Sequence, residues 1–463
     1  MLWARASDAG RYRWQVATDR AFTRIADSGR KAAEATHDFV LKPVATGLKP
    51  RTRYFYRFLD GSGASSPIGS FRTLPSPDSP AALNLAFTGD SDALWTDHPD
   101  PDARPFEVLR RIAEEAPDLF LYFGDTIYSD SETEAPLART KAEKWAKYKK
   151  NRLPATRQVL RKVSTWVGWD DHEVINDFDG AELLVDDPQL LADGIQAFND
   201  YWPVYEDVYY RKVDIGTEID LIFLDERTYR TQSADEPDSP CRDEQGALDL
   251  APMMPPEIRG QLGLGPTDPA CIDHVIDPTR SMLGAVQLAW LKQTLLASDA
   301  TWKLIVNQVP MTQIFVIPYD RWDGYIAERE DLLGYIRDNA VDNVVFLTTD
   351  IHANVGSRVY LDITEDDTTP VAYEIVAGPI QTCTLDCEVE KIRGDGQGAV
   401  LQRFLVTKGL IDADCIQINE YGYATVVIPK DASTLQAKWK SNRKAVGGGG
   451  KPVADCAPVT LSS

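Results

Sequence analysis

Five short apolar runs in this chain each end on a cluster of polar side chains, and that recurrence restricts the fold more than any other feature. LNLAF at 83–87 runs into Thr88-Gly89-Asp90-Ser91-Asp92, and LFLYF at 119–123 into Gly124-Asp125-Thr126-Ile127-Tyr128. TWVGW at 165–169 leads to Asp170-Asp171-His172-Glu173, WKLIV at 302–306 to Asn307-Gln308, and NVVFLT at 343–348 to Thr349-Asp350-Ile351-His352. Nearly continuous apolar runs of this length are strands covered on both faces. Open α/β sheets bind ligands beyond the carboxyl ends of their strands. Five strand ends therefore bring Asp, Tyr, His and amide groups to one rim.

Each piece alone has a plain structural reading. An Asp after a strand commonly closes an Asx-turn, and a lone His is most often a satisfied core residue. The conjunction is what carries chemistry: the two histidines placed just after strands, His172 and His352, both sit in Asp-rich clusters, whereas His37, His98 and His274 lie in polar, irregular surroundings. Converging carboxylates raise one another's pKa unless a cation lies between them. Several Asp with one or two His suit metals that take oxygen and nitrogen ligands. Two metals about 3.5–4 Å apart are a standard device for in-line attack on phosphorus. The residues alone therefore predict a binuclear metallohydrolase.

At 463 residues the chain exceeds one ordinary domain of about 150 residues. Residues 1–76 alternate short apolar and polar runs with turns, as in RYRWQVATD and TRYFYRFLDGSG, which predicts an all-β sandwich. The proline-rich stretch at 75–80 is the expected linker. From 81 to about 445 strands alternate with helical stretches expected at 105–116, 136–150, 154–162, 188–200 and 284–297, an α/β architecture with helices on both sides of the sheet. A loop-rich insertion is expected at about 231–280, strands return at 421–428 and 435–440, and Gly447 to Gly450 reads as a flexible tail.

The motifs resemble the metallophosphatase (calcineurin-like) superfamily, and within it the PhoD-like alkaline phosphatase/phosphodiesterase family. The resemblance rests on Asp90-x-Asp92, Gly124-Asp125-x-x-Tyr128, Asp170-Asp171-His172-Glu173 and Asp350-x-His352. Asp225-x-Arg227-x-Tyr229-Arg230, Asn307-Gln308, and Trp322-Asp323-Gly324-Tyr325 ahead of Glu328-Arg329 add to it. It implies a four-layer αββα sandwich preceded by a small fibronectin type III-like β-sandwich. It further implies that Asp90, Asp92, Tyr128 and His352 bind a first metal, that Asp125 bridges, and that Asp171 and Asp350 serve the second, with the amide of Gln308 a further candidate. The implied reaction is hydrolysis of a phosphate ester by a metal-bridging hydroxide, with His172 assisting the leaving group. Arg227, Arg230 and Asn176 are the expected clamps on phosphate oxygens, and Asn307 and Tyr325 are expected nearby. Fe3+ and Ca2+ are the metals implied. Members with that pair often carry a cysteine where this chain has Asp90-Ser91-Asp92, so Mn2+, Zn2+ or Mg2+ stay open.

The net charge of −22, from 49 Lys+Arg against 71 Asp+Glu, repels phosphate backbones and argues against a nucleic-acid scaffold role. No apolar run reaches the roughly 18 residues of a membrane helix. Six cysteines, all in the second half, suit loop-stapling disulfides in an exported protein, periplasmic or secreted, whose signal segment is absent from this chain. A small phosphate ester is the expected partner, and a monomer or small oligomer the expected state. Two alternatives stand beside this reading: phospholipase D-like or phosphotriester cleavage at the same site, and a calcium-stabilised adhesion protein.

Overall fold

The computed structural model describes residues 1–96, 104–131, 133, 136–205, 209–364, 369–407, 409–441 and 456–463. Two sheets stack at its centre. One has seven strands in the order Arg211–Ile215, Ile219–Phe223, Trp302–Asn307, Val344–Thr348, Ala372–Val376, Asn354–Val359 and Ala413–Gln417. The other has six, in the order Val459–Ser462, Thr434–Ser441, Gly422–Ile428, Leu83–Thr88, Leu119–Phe123 and Thr165–Gly168. The seven-stranded sheet contains a parallel set of four strands and the six-stranded sheet a parallel set of three, and these seven all end at the same edge of the stack.

The period-2 geometry of a strand decides where each side chain goes. Leu83, Leu85 and Phe87 face inward with Leu119, Leu121 and Phe123, meeting Leu221, Phe223, Leu304, Val306, Val345 and Leu347 of the other sheet. Ala86, Phe120 and Tyr122 point the other way, onto helices Glu107–Glu115, Pro154–Lys162 and Pro188–Tyr201. Beyond the second sheet, Ile222, Ile305 and Phe346 pack on helices Gly284–Leu296 and Ile326–Asp338. Helix, sheet, sheet, helix: this is the four-layer αββα sandwich. At about 1.5–3 kcal/mol for each fully buried large apolar side chain, the sheet-to-sheet layer and the layer of helices on the six-stranded sheet are both major stabilising contacts.

The N-terminal sheet has the order Ile25–Ala33, Gly10–Ala17, Arg53–Leu59 and Gly69–Arg72, closed by the pair Ala4–Arg5 and Val40–Leu41 over a core of Trp14, Val16, Tyr54 and Phe58. It is fastened to the end of helix Pro188–Tyr201: Trp3 Nε1 donates to the Asp200 carbonyl at 2.9 Å, Lys42 Nζ to the Asn199 carbonyl at 2.6 Å, and His37 Nδ1 meets Asp200 Oδ1 at 2.7 Å.

Several details differ from expectation, among them helix Ile326–Asp338, which lies outside the expected helical stretches. The helix expected from 136 begins at Lys141, because Thr140 and Glu143 form a reciprocal capping box there. The chain beyond 445 returns as strand Val459–Ser462, pairing with Thr434–Ser441, so the sheet continues past the expected domain end; Gly447 to Gly450 lie outside the described residues. Helices Leu385–Arg393 and Gln397–Thr407, not foreseen, pack beside the second sheet. All six cysteines pair, as Cys241–Cys271, Cys383–Cys387 and Cys415–Cys456.

Candidate metal centre

The loops that leave the strands turn sharply. Asp90, Asp125, Asp350 and His352 all have left-handed backbones, with φ of 60°, 46°, 68° and 52°. Asp and His tolerate this region better than other side chains, yet its concentration in four residues of one cluster is local strain of the kind found at functional sites. Close approach adds a second constraint. A Cβ on Gly89 would lie 2.1 Å from the Phe123 carbonyl, and one on Gly378 would lie 2.3 Å from Asp90 Oδ2.

Three convergent groups result, each with ligand atoms within 4.8 Å of one another: Asp90, Asp125 and His352; Asp125, Asp171 and His172; and Asp170, Asp171 and Asp350. Asp125 belongs to the first two groups and Asp171 to the last two. Tyr128 joins the first through its hydroxyl, 2.9 Å from His352 Nε2. Backbone amides fix the carboxylates: His172 N donates to Asp125 Oδ1 (3.2 Å) and Asp171 Oδ1 (3.0 Å), Asp177 N to Asp171 Oδ2 (2.6 Å), and Asp350 N to Asp90 Oδ1 (3.2 Å). Glu173 braces the loops from behind, accepting from Thr126 and from Asp170 N.

The electrostatics call for cations. Burial, with Asp170 beside it, pushes Asp90 well above the usual carboxylate range; burial and Asp171 do the same to Asp125, and burial and Asp320 to Asp350. Burial holds His352 down at about 3, so its imidazole is neutral and offers a lone pair. Asp90 Oδ2 and Asp170 Oδ2 are buried and have no hydrogen-bond partner among the described residues. Carboxylates that cannot all ionise alone, together with orphaned oxygens and a neutral imidazole, form a donor set that fits metal ions.

Several expected residues take other places. Asp92 stands outside the three groups: its Oδ1 closes a local turn by accepting from Leu94 N at 2.8 Å, and its Oδ2 accepts from Ser131 Oγ in the loop that follows Tyr128. Arg227 and Arg230 are wholly buried and ion-paired beneath the site, not free at its mouth. Arg227 binds Asp170, both oxygens of Asp320 (2.6 and 3.0 Å) and Asp350 (3.3 Å), while Arg230 binds Asp179 and Asp320. Asn307 and Gln308 are buried scaffold: Asn307 receives Trp322 Nε1, and Gln308 Oε1 accepts from Glu226 N while its Nε2 donates to the Trp169 carbonyl. Tyr325 donates to the Thr231 carbonyl at 2.7 Å. Asn176 is exposed, and it is its backbone N that donates to Asp130 Oδ2.

Sequence reasoning passed over Asp130, Asp320 and Asn151. Asp130 Oδ1 meets His172 Nδ1 at 2.5 Å, and the His172 ring stacks on Tyr128 with centroids 4.0 Å apart. Against burial, Asp171 and Asp130 raise His172 to about 10. Asn151 ends helix Lys141–Asn151 and ties two metal loops together, donating to the Ser91 carbonyl (2.6 Å) and the Thr126 carbonyl (2.8 Å) while accepting from Ala93 N (3.1 Å). Asn151→Leu is expected to cost about 1–3 kcal/mol, because it strands two buried carbonyls, and to weaken metal binding about 10–100-fold. Urea unfolding and a metal-competition titration measure the two effects; a weaker fold with unaltered metal affinity would make Asn151 a packing residue only.

Known proteins share this organisation. The PhoD-like phosphatase family model matches residues 95–431, and the model of the PhoD-like phosphatase N-terminal domain matches residues 1–75. Alkaline phosphatase D of Bacillus subtilis (strain 168) is 26% identical over 407 residues, which span 80% of this chain and 62% of that protein. The solved structure of PhoD superposes with a TM-score of 0.75 at 21% identity, covering 99% of this chain and 85% of that one. Purple acid phosphatase PPD1 from yellow lupin (Lupinus luteus) seeds superposes with a TM-score of 0.50 at 12% identity, covering 98% and 70%. The two structures share the fold, the two family models together run through both parts of the chain, and the larger takes in the loops of Asp125, Asp171 and His352: the chain belongs to the PhoD-like phosphatase family.

Proposed function

We propose that this chain is a metal-dependent hydrolase of small phosphate esters, acting on monoesters or diesters. The observation that carries this reading is Asp125, which stands at once in two convergent groups that could each hold a cation. Family membership supports it, as does the name of the Bacillus relative.

Asp90, Asp125, His352 and the Tyr128 phenol would hold a first cation. Asp125, Asp171 and Asp350 would hold a second in an all-oxygen setting. A phenolate donor suits Fe3+ in the first position, and hard oxygen ligands suit Ca2+, Mn2+ or Mg2+ over Zn2+ in the second. Two cations so placed supply Lewis acidity at phosphorus and a water acidic enough to attack near neutral pH. His172 is the proton donor to the departing alkoxide: Asp130 orients its Nδ1–H, which leaves Nε2 for the leaving oxygen, and Tyr128 fixes the ring plane. Arg227 keeps Asp170 and Asp350 in register from below. A calcium-stabilised adhesion protein has no use for this stacked His–Tyr pair. The three disulfides support export to an oxidising compartment.

The test is elemental mass spectrometry of the native protein, followed by chelation and assays on aryl phosphate mono- and diesters. At least two metal ions per chain and loss of turnover on chelation are expected, with recovery on adding metal back. Equal hydrolysis before and after complete metal removal would overturn the reading.

A further inference from the structure

A cavity of about 310 Å³ lies between the insertion, the loop at 310–321 and helices Leu385–Arg393 and Gln397–Thr407. This is within the size range of small-molecule sites, about 300–1,000 Å³. Met254, Ile314, Val376 and Ile418 form its depth, and Leu262 and Val400, 43% and 46% exposed, stand at its lip. Among the described residues only Arg321 and Glu374 bring charge to the lining, and the Glu374 carboxylate is committed to Met311 N, Thr312 N and Thr348 Oγ1. A lining this poor in polar partners does not hold ordered water well.

Two features say what fits. The lining is aliphatic, with Phe404 its single aromatic side chain among the described residues. Nucleobases and aryl groups are usually held on aromatic platforms, so an alkyl or acyl chain is the better match. The cavity also shares a wall with the metal centre. Ile351, which lines it, stands between Asp350 and His352, and the N–H of Leu385, another lining residue, donates to the His352 carbonyl at 3.1 Å. Arg321 comes directly after Asp320, the acid that pairs with Arg227.

We propose that the cavity receives the aliphatic chain of an amphiphilic phosphate ester whose phosphate is held at the metal centre. This rests on the phosphate-ester reading above. The reaction remains cleavage of one P–O bond by water, with the proton delivered to the departing alcohol.

Methyl, butyl and octyl 4-nitrophenyl phosphates, used below their micelle concentrations on the metal-loaded full chain, test it. Each methylene that leaves water is expected to raise kcat/KM by up to about fourfold, so the octyl ester should exceed the methyl ester by at least tenfold, chiefly through KM. Leu262→Glu and Val400→Glu, both at exposed positions, should flatten this dependence while leaving methyl ester turnover and metal content unchanged. Calorimetric binding of methyl- and octylphosphonate gives a second measure that needs no turnover. Tighter octyl binding, lost in the two variants, supports the cavity even if no ester is hydrolysed, in which case only the hydrolase reading fails. Equal kcat/KM along the ester series, or equal affinity for the two phosphonates, overturns the proposal.

Discussion

Asp125→Asn is expected to deplete two metal positions together and to lower phosphate-ester hydrolysis by on the order of 10³-fold or more. Metal Lewis acidity supplies several kcal/mol of transition-state stabilisation, and each 1.4 kcal/mol is about tenfold in rate. The substitution keeps the shape and the oxygen that accepts from His172 N, so the loop should fold as before. Only the charge shared by the groups around Asp90 and Asp171 is lost. The effect on stability should be counter-intuitive. Burial and Asp171 push the Asp125 carboxyl well above its usual range, so without metal it destabilises the fold at neutral pH. In chelator the variant should therefore melt at or above the wild-type temperature, whereas in metal it should melt below. Metal stoichiometry, kcat and melting in the two buffers are the measurements. Two metals at near wild-type occupancy in the variant would sink the bridging role.

The parts of this centre legible in the sequence are those where local rules and tertiary structure agree. LFLYF at 119–123 reads as a strand buried on both faces, and is one, and the residues just past the end of such a strand lie at a ligand-binding edge. Asp90, Asp125, Asp171, Asp350 and His352 could be found that way because each sits within about four residues of the end of its strand. The fate of Asp92 could not. Whether its carboxylate reaches the cluster or closes a turn depends on Ser131, 39 residues on, and on a left-handed backbone at Asp90. Asp320 escapes notice because its partners Arg227 and Arg230 are about 90 residues away and its own neighbourhood, Pro318-Tyr319-Asp320-Arg321, reads as an ordinary polar loop. Arg227 reads as a phosphate clamp because sequence reveals residue type but not depth. Helix Leu385–Arg393 begins at Thr384, whose side chain accepts from Cys387 N, but its acidic residues weaken the apolar stripe that would have marked it.

Arg227→Met separates the two roles that Arg227 can have. Methionine has similar length and no charge, so its main effect is to remove the counter-ion of four acids. Against burial, Arg227 and His172 hold Asp171 at about 2; burial drives Asp170 up to about 7 in spite of the arginine. Without the guanidinium, Asp170 and Asp320 lose their ionic partner in a site with no exposure at the arginine itself. Breaking a buried ion pair from one side typically costs about 3–5 kcal/mol, and the loss should appear in urea unfolding of both metal-loaded and chelated protein. Bound metal would restore part of the missing charge, so the chelated protein should suffer more. Arg227→Lys should recover only part of the stability, because one ammonium cannot replace the forked contacts to Asp170, Asp320 and Asp350. A phosphate clamp predicts the reverse pattern: a wild-type unfolding midpoint with KM sharply raised. Since the donors of Arg227 already meet carboxylates and its side chain is wholly buried, we expect the surviving fraction of the lysine variant to show near wild-type KM with reduced metal affinity. A raised KM at unchanged metal affinity and stability would return Arg227 to the substrate side of the centre.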